Sequence, residues 1–181
     1  MQAGAMRSSA FRAVGIHHSQ RSWRPLANHA RLFCRAAPLV YVATLPLVGW
    51  ETVEEILKDK YPDELALHCM VLIESEETVT MFDFLPELPT SPFVAAALLS
   101  GRQAKGIVRE RRLSRLPVRR CWLVGPSATS QALQEARSFN SSFDDRIQLL
   151  RNDCRSHSVA LVKHLTGLNI KVSINGISGS S

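Results

Sequence analysis

Three residues whose types could together make a thiol nucleophile lie far apart in this chain. They are Cys154 in "LLRNDCRSHSVALVKHLTG", His68 in "LHCMVLI" and Asp83 in "TMFDFLP". A thiolate attacks an ester, thioester or amide carbonyl, an imidazole carries the proton from thiol to leaving group, and a carboxylate holds the imidazole in the useful tautomer. For Cys154 to serve, its surroundings must favour the thiolate. After the polar corner Arg151-Asn152-Asp153, apolar side chains recur at Val159, Leu161, Val162 and Leu165, and Gly167 supplies a stop. That spacing predicts an amphipathic helix opened by Cys154. The first turn of a helix offers free backbone N–H groups and the positive end of the macrodipole, both of which stabilise a thiolate and, later, an oxyanion. Arg155 adds a positive charge beside the thiol and is a candidate substrate contact. Asp153 is expected to cap the helix and face solvent. A helix-start cysteine is, however, most often a small buried residue, so the base decides the matter.

Two apolar runs, "LALHCMVLI" and "TVTMFDFLP", flank the acidic stretch "ESEE", which reads as a β-hairpin. With Glu74 to Glu77 as a four-residue turn, Ile73 pairs with Thr78 and His68 falls opposite Asp83. Cross-strand partners share a face with Cβ atoms about 4.5–5.5 Å apart, close enough for an imidazole–carboxylate hydrogen bond. A slip of one residue would send the two to opposite faces. Both sit among apolar neighbours, where a polar pair needs a partner or a task. His157 shares the face of Cys154 one turn on and is expected to pack or lie at the surface, His164 to be exposed, and Cys69 and Cys121 to be core.

"LHCMVLI" and "TMFDFLP" followed much later by "RNDCRSHSVALVKHLTG" resemble the circularly permuted papain-like fold, the group of lecithin–retinol acyltransferase-type enzymes and permuted NlpC-type peptidases. The resemblance spans roughly residues 65 to 166. It implies His68 as base on an early strand, Asp83 as the third polar residue on the neighbouring strand, and Cys154 as nucleophile at a helix start. The chain departs from that group in placing Asp153 between Asn152 and Cys154, and in having Asp83 where the acyltransferases commonly carry histidine.

The remaining segments must supply the scaffold. A helix is expected over "ETVEEILKDKYPDE", capped by Thr52, and another over "TSPFVAAALLSG", with Ser91 as cap, Pro92 at its first position and Gly101 as stop. "KGIVRERRL", "RRCWLVG" and "RIQLL" read as strands and "SATSQALQEARSFNSSF" as a helix. "PLVYVATLPLVGW" is too short to span a bilayer and reads as an edge strand or a surface-lying segment; no transmembrane segment is expected. The fold class is α+β, an antiparallel sheet packed on helices, with a domain over residues 38–168 and a loose tail over 169–181.

All the net charge of +6 comes from one end. Residues 1–50 hold six of the 22 basic residues and none of the 16 acids, so the remainder is neutral. An Arg-, Ser- and Ala-rich, acid-free start without a continuous apolar stretch has the composition of a transit peptide, assigned to residues 1–37 with cleavage near Arg35 to Ala37. Such a segment implies a chain handed to organelle import machinery, with the chloroplast expected and the mitochondrion as alternative. "DFLPELPTSP", "LPVRRCWLVG" and "NDCRSHSVALVKHLTG" also resemble plastid proteins of plants. The four cysteines form no CxxC pair and no zinc-ligand spacing, so neither a disulfide framework nor a metal or other cofactor is expected.

One stretch of the neutral part is polarised. "GRQAKGIVRERRLSRLPVRRCW" carries Arg102, Lys105, Arg109, Arg111, Arg112, Arg115, Arg119 and Arg120 against the single acid Glu110. It could meet phosphate backbone, an anionic lipid or an acidic partner, or be a solvated face; Arg111 and Arg119 are candidate substrate contacts if it borders the cleft. Stacking aromatics are missing apart from Trp122, which weakens a nucleic-acid reading. Three functions remain open: a cysteine-dependent hydrolase or acyltransferase on an acyl or peptide substrate, an inactive binding or assembly factor of the same fold, and a basic RNA-binding protein.

Overall fold

The longest apolar, β-branched runs of the chain pair into one sheet. The computed structural model describes residues 37–46, 67–76, 78–173 and 175–180. Residues 1–36 of the expected transit peptide and the helix expected at "ETVEEILKDKYPDE" lie outside the described residues. In chain order the elements are β1 (Leu39–Pro46), β2 (Leu67–Ser75), β3 (Thr78–Pro86), α1 (Pro92–Leu99), β4 (Ala104–Leu113), β5 (Cys121–Pro126), α2 (Ala132–Ser142), β6 (Arg146–Ile147), α3 (Cys154–Thr166), β7 (Asn169–Ser173) and β8 (Gly176–Ser180). The main sheet has the order β5-β1-β2-β3-β4-β6, antiparallel throughout, and β7 pairs with β8. The α+β class with a large antiparallel sheet is therefore as the sequence indicates.

Side chains alternate across the pleat, so each central strand serves two cores. On one face Val40, Val42, Cys69, Val71, Ile73 and Phe82 pack against Leu161, Val162 and Leu165 of α3 and Ala132 and Ala136 of α2. On the other, Tyr41, Ala43, Met70, Leu72, Val79 and Met81 cluster with Leu113, Leu116 and Cys121. Each fully buried aliphatic or aromatic side chain contributes about 1.5–3 kcal/mol.

This two-sided burial corrects one expectation. The run beginning at Pro38 is neither an edge strand nor surface-lying over its described part: β1 lies between β5 and β2, and Val40 to Ala43 are buried. The tail is corrected too. Asn169–Ser173 and Gly176–Ser180 pair as β7 and β8, and Ile170 and Val172 are buried in the core of α3. "RIQLL" yields only the two-residue β6, because Leu150 takes a left-handed turn and Gln148 bridges back to Asn152.

The helix ends follow the sequence closely. Ser91 accepts the Val94 N–H above Pro92, and Gly101 is left-handed at φ +80. Gly106 is required by close approach: a Cβ there would meet the Phe84 ring at 2.5 Å. That ring in turn packs on Phe143 and His157, which fixes the start of α3 against the sheet.

Candidate active site

Register decides which side chains meet. The β2–β3 ribbon pairs up to Ser75–Thr78, leaving only residues 76 and 77 between the strands, and Met70 stands opposite Asp83. The four-residue turn expected from "ESEE" is thus two residues too long. Glu74 and Ser75 stay in the strand, with Glu74 accepting the Tyr41 hydroxyl at 2.7 Å and Ser75 bonding Thr78 at 3.0 Å between their hydroxyl oxygens. A slip of two preserves the face. His68 becomes the diagonal neighbour of Asp83, and its Nε2 lies 3.2 Å from Oδ2.

Asp83 is fully buried and gathers three cations on one face of the sheet. Arg109, its direct partner on β4, donates from Nε to Oδ1 at 3.2 Å and from Nη2 to Oδ2 at 2.9 Å. Arg111, two residues on, donates to Oδ2 at 2.8 Å. Burial opposes the charge, but the hydrogen bonds from His68 and Arg109 outweigh it and hold the carboxyl well below its ordinary range. An ionised Asp83 can only accept, so Nε2 of His68 carries a proton. Nδ1 is buried and has no hydrogen-bond partner among the described residues, so it is the ring nitrogen Asp83 leaves unused.

Cys154 approaches from the other side, through a gap in the ladder. Beyond the Met70–Asp83 pair the two strands part: Leu67 to Cys69 stay paired with β1, while β3 continues along β4 to Pro86–Gly106. The half-buried sulfur enters this split. It accepts the Cys69 N–H at 3.5 Å and lies 3.9 Å from the Leu67 carbonyl oxygen, to which a neutral thiol donates. Strand groups left without a partner strand thus find one in a side chain.

The sulfur also interacts with the His68 imidazole and with the Cys69 thiol. The hydrogen bond from the Cys69 thiol draws the Cys154 pKa well below the thiol range; burial resists, and the His68 hydrogen bond and charge add to the lowering. Cys69 is pushed up correspondingly, first by that hydrogen bond and then by burial. Burial alone would lower His68, yet its hydrogen bonds to Asp83 and Cys154 raise it to about 9. The combination favours a thiolate–imidazolium pair at neutral pH.

The start of α3 is built as the sequence indicates, with one difference. Asp153 caps it, Oδ1 accepting the Arg155 and Ser156 N–H groups and Oδ2 that of Leu150, while Ser156 accepts the Asp153 N–H in return. Asp153 is buried by these bonds and does not face solvent. The cap leaves the N–H of Cys154 itself as the helix-start donor beside the sulfur. Asn152 is a clamp, donating to the carbonyls of Asp144 and Arg146 at 2.9 Å each.

Comparison with protein-family models, with curated proteins and with solved structures finds no match.

His68, Asp83 and Cys154 are brought together; the candidate substrate contacts are dispersed. Arg111 is turned to Asp83 and Arg155 is half-buried beside the cap. Arg119 lies exposed in the β4–β5 loop and, among the described residues, forms no ion pair or side-chain hydrogen bond with the three. His157 is buried among Phe84, Phe139 and Phe143, its Nε2 2.8 Å from Asn140 Oδ1, and burial lowers its pKa to about 4. Two contributors escaped the sequence reading. Arg109 was legible in principle, because the alternation in "IVRERRL" puts Arg109 and Arg111 on one face and a buried acid needs cations. Cys69 carried no signal beyond its adjacency to His68. Among the described residues no cluster of His, Cys, Asp or Glu could hold a metal ion, and no helix is long and apolar enough to cross a membrane.

Proposed function

We propose that this chain is a cysteine-dependent acyl-transfer enzyme, a hydrolase or acyltransferase acting on an ester, thioester or amide. The observation that carries the reading is the Cys154 sulfur seated on the backbone of Leu67 and Cys69, on either side of His68, whose Nε2 is held by the fully buried Asp83. In this reading the Cys154 thiolate attacks the acyl carbon. The imidazolium of His68 gives its Nδ1 proton to the leaving oxygen, sulfur or nitrogen, and then takes a proton from water or an acceptor that attacks the thioester. The N–H of Cys154 supports the oxyanion; one such donor is typically worth about 2.7–4 kcal/mol. Asp83 keeps the charge of His68 favourable without itself exchanging protons. The resemblance to permuted papain-like thiol proteins supports the reading in the order of histidine strand, second polar strand and cysteine helix, with Asp83 as the departure in residue type. The chloroplast remains the proposed location, on the composition of the N-terminus.

The engagement of Arg109 and Arg111 by Asp83 and of Lys105 by Glu87 leaves less free positive charge on β4 than its sequence suggests, which favours this reading over RNA binding. The test is acyl-enzyme trapping. The full chain is mixed with an activated ester, an acyl thioester or an anilide, quenched in acid and digested with trypsin. The tetrapeptide Asn152–Arg155 should carry the acyl group in the wild type and not in His68→Ala. Acylation of that peptide no faster than in the denatured chain would sink the proposal.

A further inference from the structure

Cys69 is a second thiol at the site for which acyl transfer has no use. It is buried on the α3 face of β2, in the same cluster against which Cys154 packs. Its backbone N–H reaches the Cys154 sulfur at 3.5 Å. The two thiols also interact with one another, so the sulfur of Cys154 lies beside both the backbone and the side chain of Cys69, as a disulfide between them requires. The remaining described cysteine, Cys121, belongs to the cluster on the opposite face and is separated from the pair by the sheet.

We propose that Cys154 and Cys69 form a peroxide-reactive pair, with Cys154 as the thiol that is oxidised first and Cys69 as the one that resolves it into a reversible intramolecular disulfide. The step balances with a hydroperoxide as oxidant. The Cys154 thiolate attacks one peroxide oxygen, the O–O bond breaks, and the leaving oxygen takes the His68 proton, giving a sulfenic acid and water or an alcohol. The Cys69 sulfur then attacks the sulfenic sulfur. An S–S bond forms, the S–O bond breaks, and the hydroxyl leaves as water with the Cys69 proton. Two thiols have been oxidised and one peroxide reduced. The elevated thiol value of Cys69 keeps it protonated until Cys154 has reacted, so the order of events is set by the site. The buried resolving thiol shields Cys154 from the irreversible sulfinic state, and while the bond lasts the nucleophile is withdrawn from any acyl donor.

Disulfide formation does not depend on acyl transfer, and its test reads no turnover. The reduced full chain is treated with one equivalent of hydrogen peroxide under native conditions, free thiols are blocked with iodoacetamide in denaturant, and the unreduced tryptic digest is analysed by mass. The peptide Asn152–Arg155 should appear joined to the peptide of residues 61–102, and dithiothreitol should return both to alkylatable thiols. In Cys69→Ser an excess of hydrogen peroxide, of which the sulfinic state consumes two per thiol, should leave Cys154 as sulfinic acid, with recovery by dithiothreitol lowered at least about tenfold relative to the wild type under the same excess. Cys121→Ser should behave as wild type. The inference is overturned if the wild type yields only sulfinic Cys154, links between chains, or a link to Cys121. The wild-type digest alone separates these outcomes, even if Cys69→Ser fails to fold. Acyl-enzyme trapping that fails while the disulfide forms would remove the enzymatic reading and leave the redox pair standing.

Discussion

The thiolate–imidazolium pair can be tested by the pH dependence of Cys154 alkylation. An ordinary thiol with pKa about 8.5 is only about 0.3% thiolate at pH 6 and reacts about tenfold faster with each pH unit up to that value. Full conversion to thiolate would raise reactivity at pH 6 about 300-fold. A sulfur of lower basicity is a poorer nucleophile, and a Brønsted slope of about 0.4–0.5 over roughly three units takes back about 10- to 30-fold. The net advantage at pH 6 is therefore about tenfold. The sign follows from the two directions. Cys154 is lowered, so the thiolate is present from the acid side of the thiol range upward. His68 is raised to about 9, so the imidazolium persists up to that pH and is lost above it. The rate of iodoacetamide reaction, read on the tetrapeptide Asn152–Arg155 so that Cys69 and Cys121 do not contribute, should be nearly flat from pH 6 to 8. His68→Ala should lower it at pH 6, by at most about tenfold, and bring back part of the rise with pH, because the Cys69 thiol supplies the larger share of the lowering and remains. A wild-type rate that climbs tenfold per unit across that interval, or one that His68→Ala does not change, refutes the pairing.

Asp83→Asn leaves His68 and two guanidiniums without their carboxylate and should lower stability by about 3–5 kcal/mol in urea denaturation at pH 7. Because the Asp83 pKa is depressed by folding, that deficit should be complete above about pH 5 and shrink as the pH falls below the ordinary carboxylate value of about 3.9, the sense expected when the unfolded chain takes up the proton first. Gly106→Ala sets a methyl against the Phe84 ring and should cost about 1–3 kcal/mol, measured the same way; an unchanged midpoint would contradict the close approach. Asp153→Ala removes the cap of α3 and should cost about 0.5–2 kcal/mol, with Asp153→Asn recovering much of it, read by thermal unfolding.

How much of this was legible in the sequence depends on which physical rule each part obeys. The ends of α3 are local: Asp153 and Gly167 announce them, and the structure follows, adding Ser156 to the cap. The His68–Asp83 meeting needed only the parity of the register, since side chains repeat every second residue, and an error of two in the turn was harmless where an error of one would have been fatal. The place of β1 was not legible. A strand buried on both faces loses its alternation, and with Pro46 at its end it looks like a fragment set on the surface. The tail failed in the opposite way. The alternation of Ile170 and Val172 was present in "NIKVS", but the Gly/Ser ending drew the reading toward disorder.

The split between β2 and β3 was the least legible feature, because it depends on where two strands stop following one another. Its cause can be traced to Asp83, the last rung of the β2–β3 ladder. From β4 come Arg109 and Arg111, which bind Asp83 and hold β3 to that side. From β2 comes His68, whose bond to the same carboxylate is a link across the gap after backbone pairing has ended. The gap leaves the Cys69 N–H and the Leu67 carbonyl without a strand, and the thiol of α3 takes the vacant place. One buried carboxylate therefore ties three strands and fixes the imidazole, while the thiol reaches that imidazole only because the ladder ends there. In the proposed function, stability and chemistry are therefore coupled at Asp83. Loss of activity in Asp83→Asn would by itself prove little, and the pH profile of the sulfur is the readout that separates orienting a base from holding a sheet together.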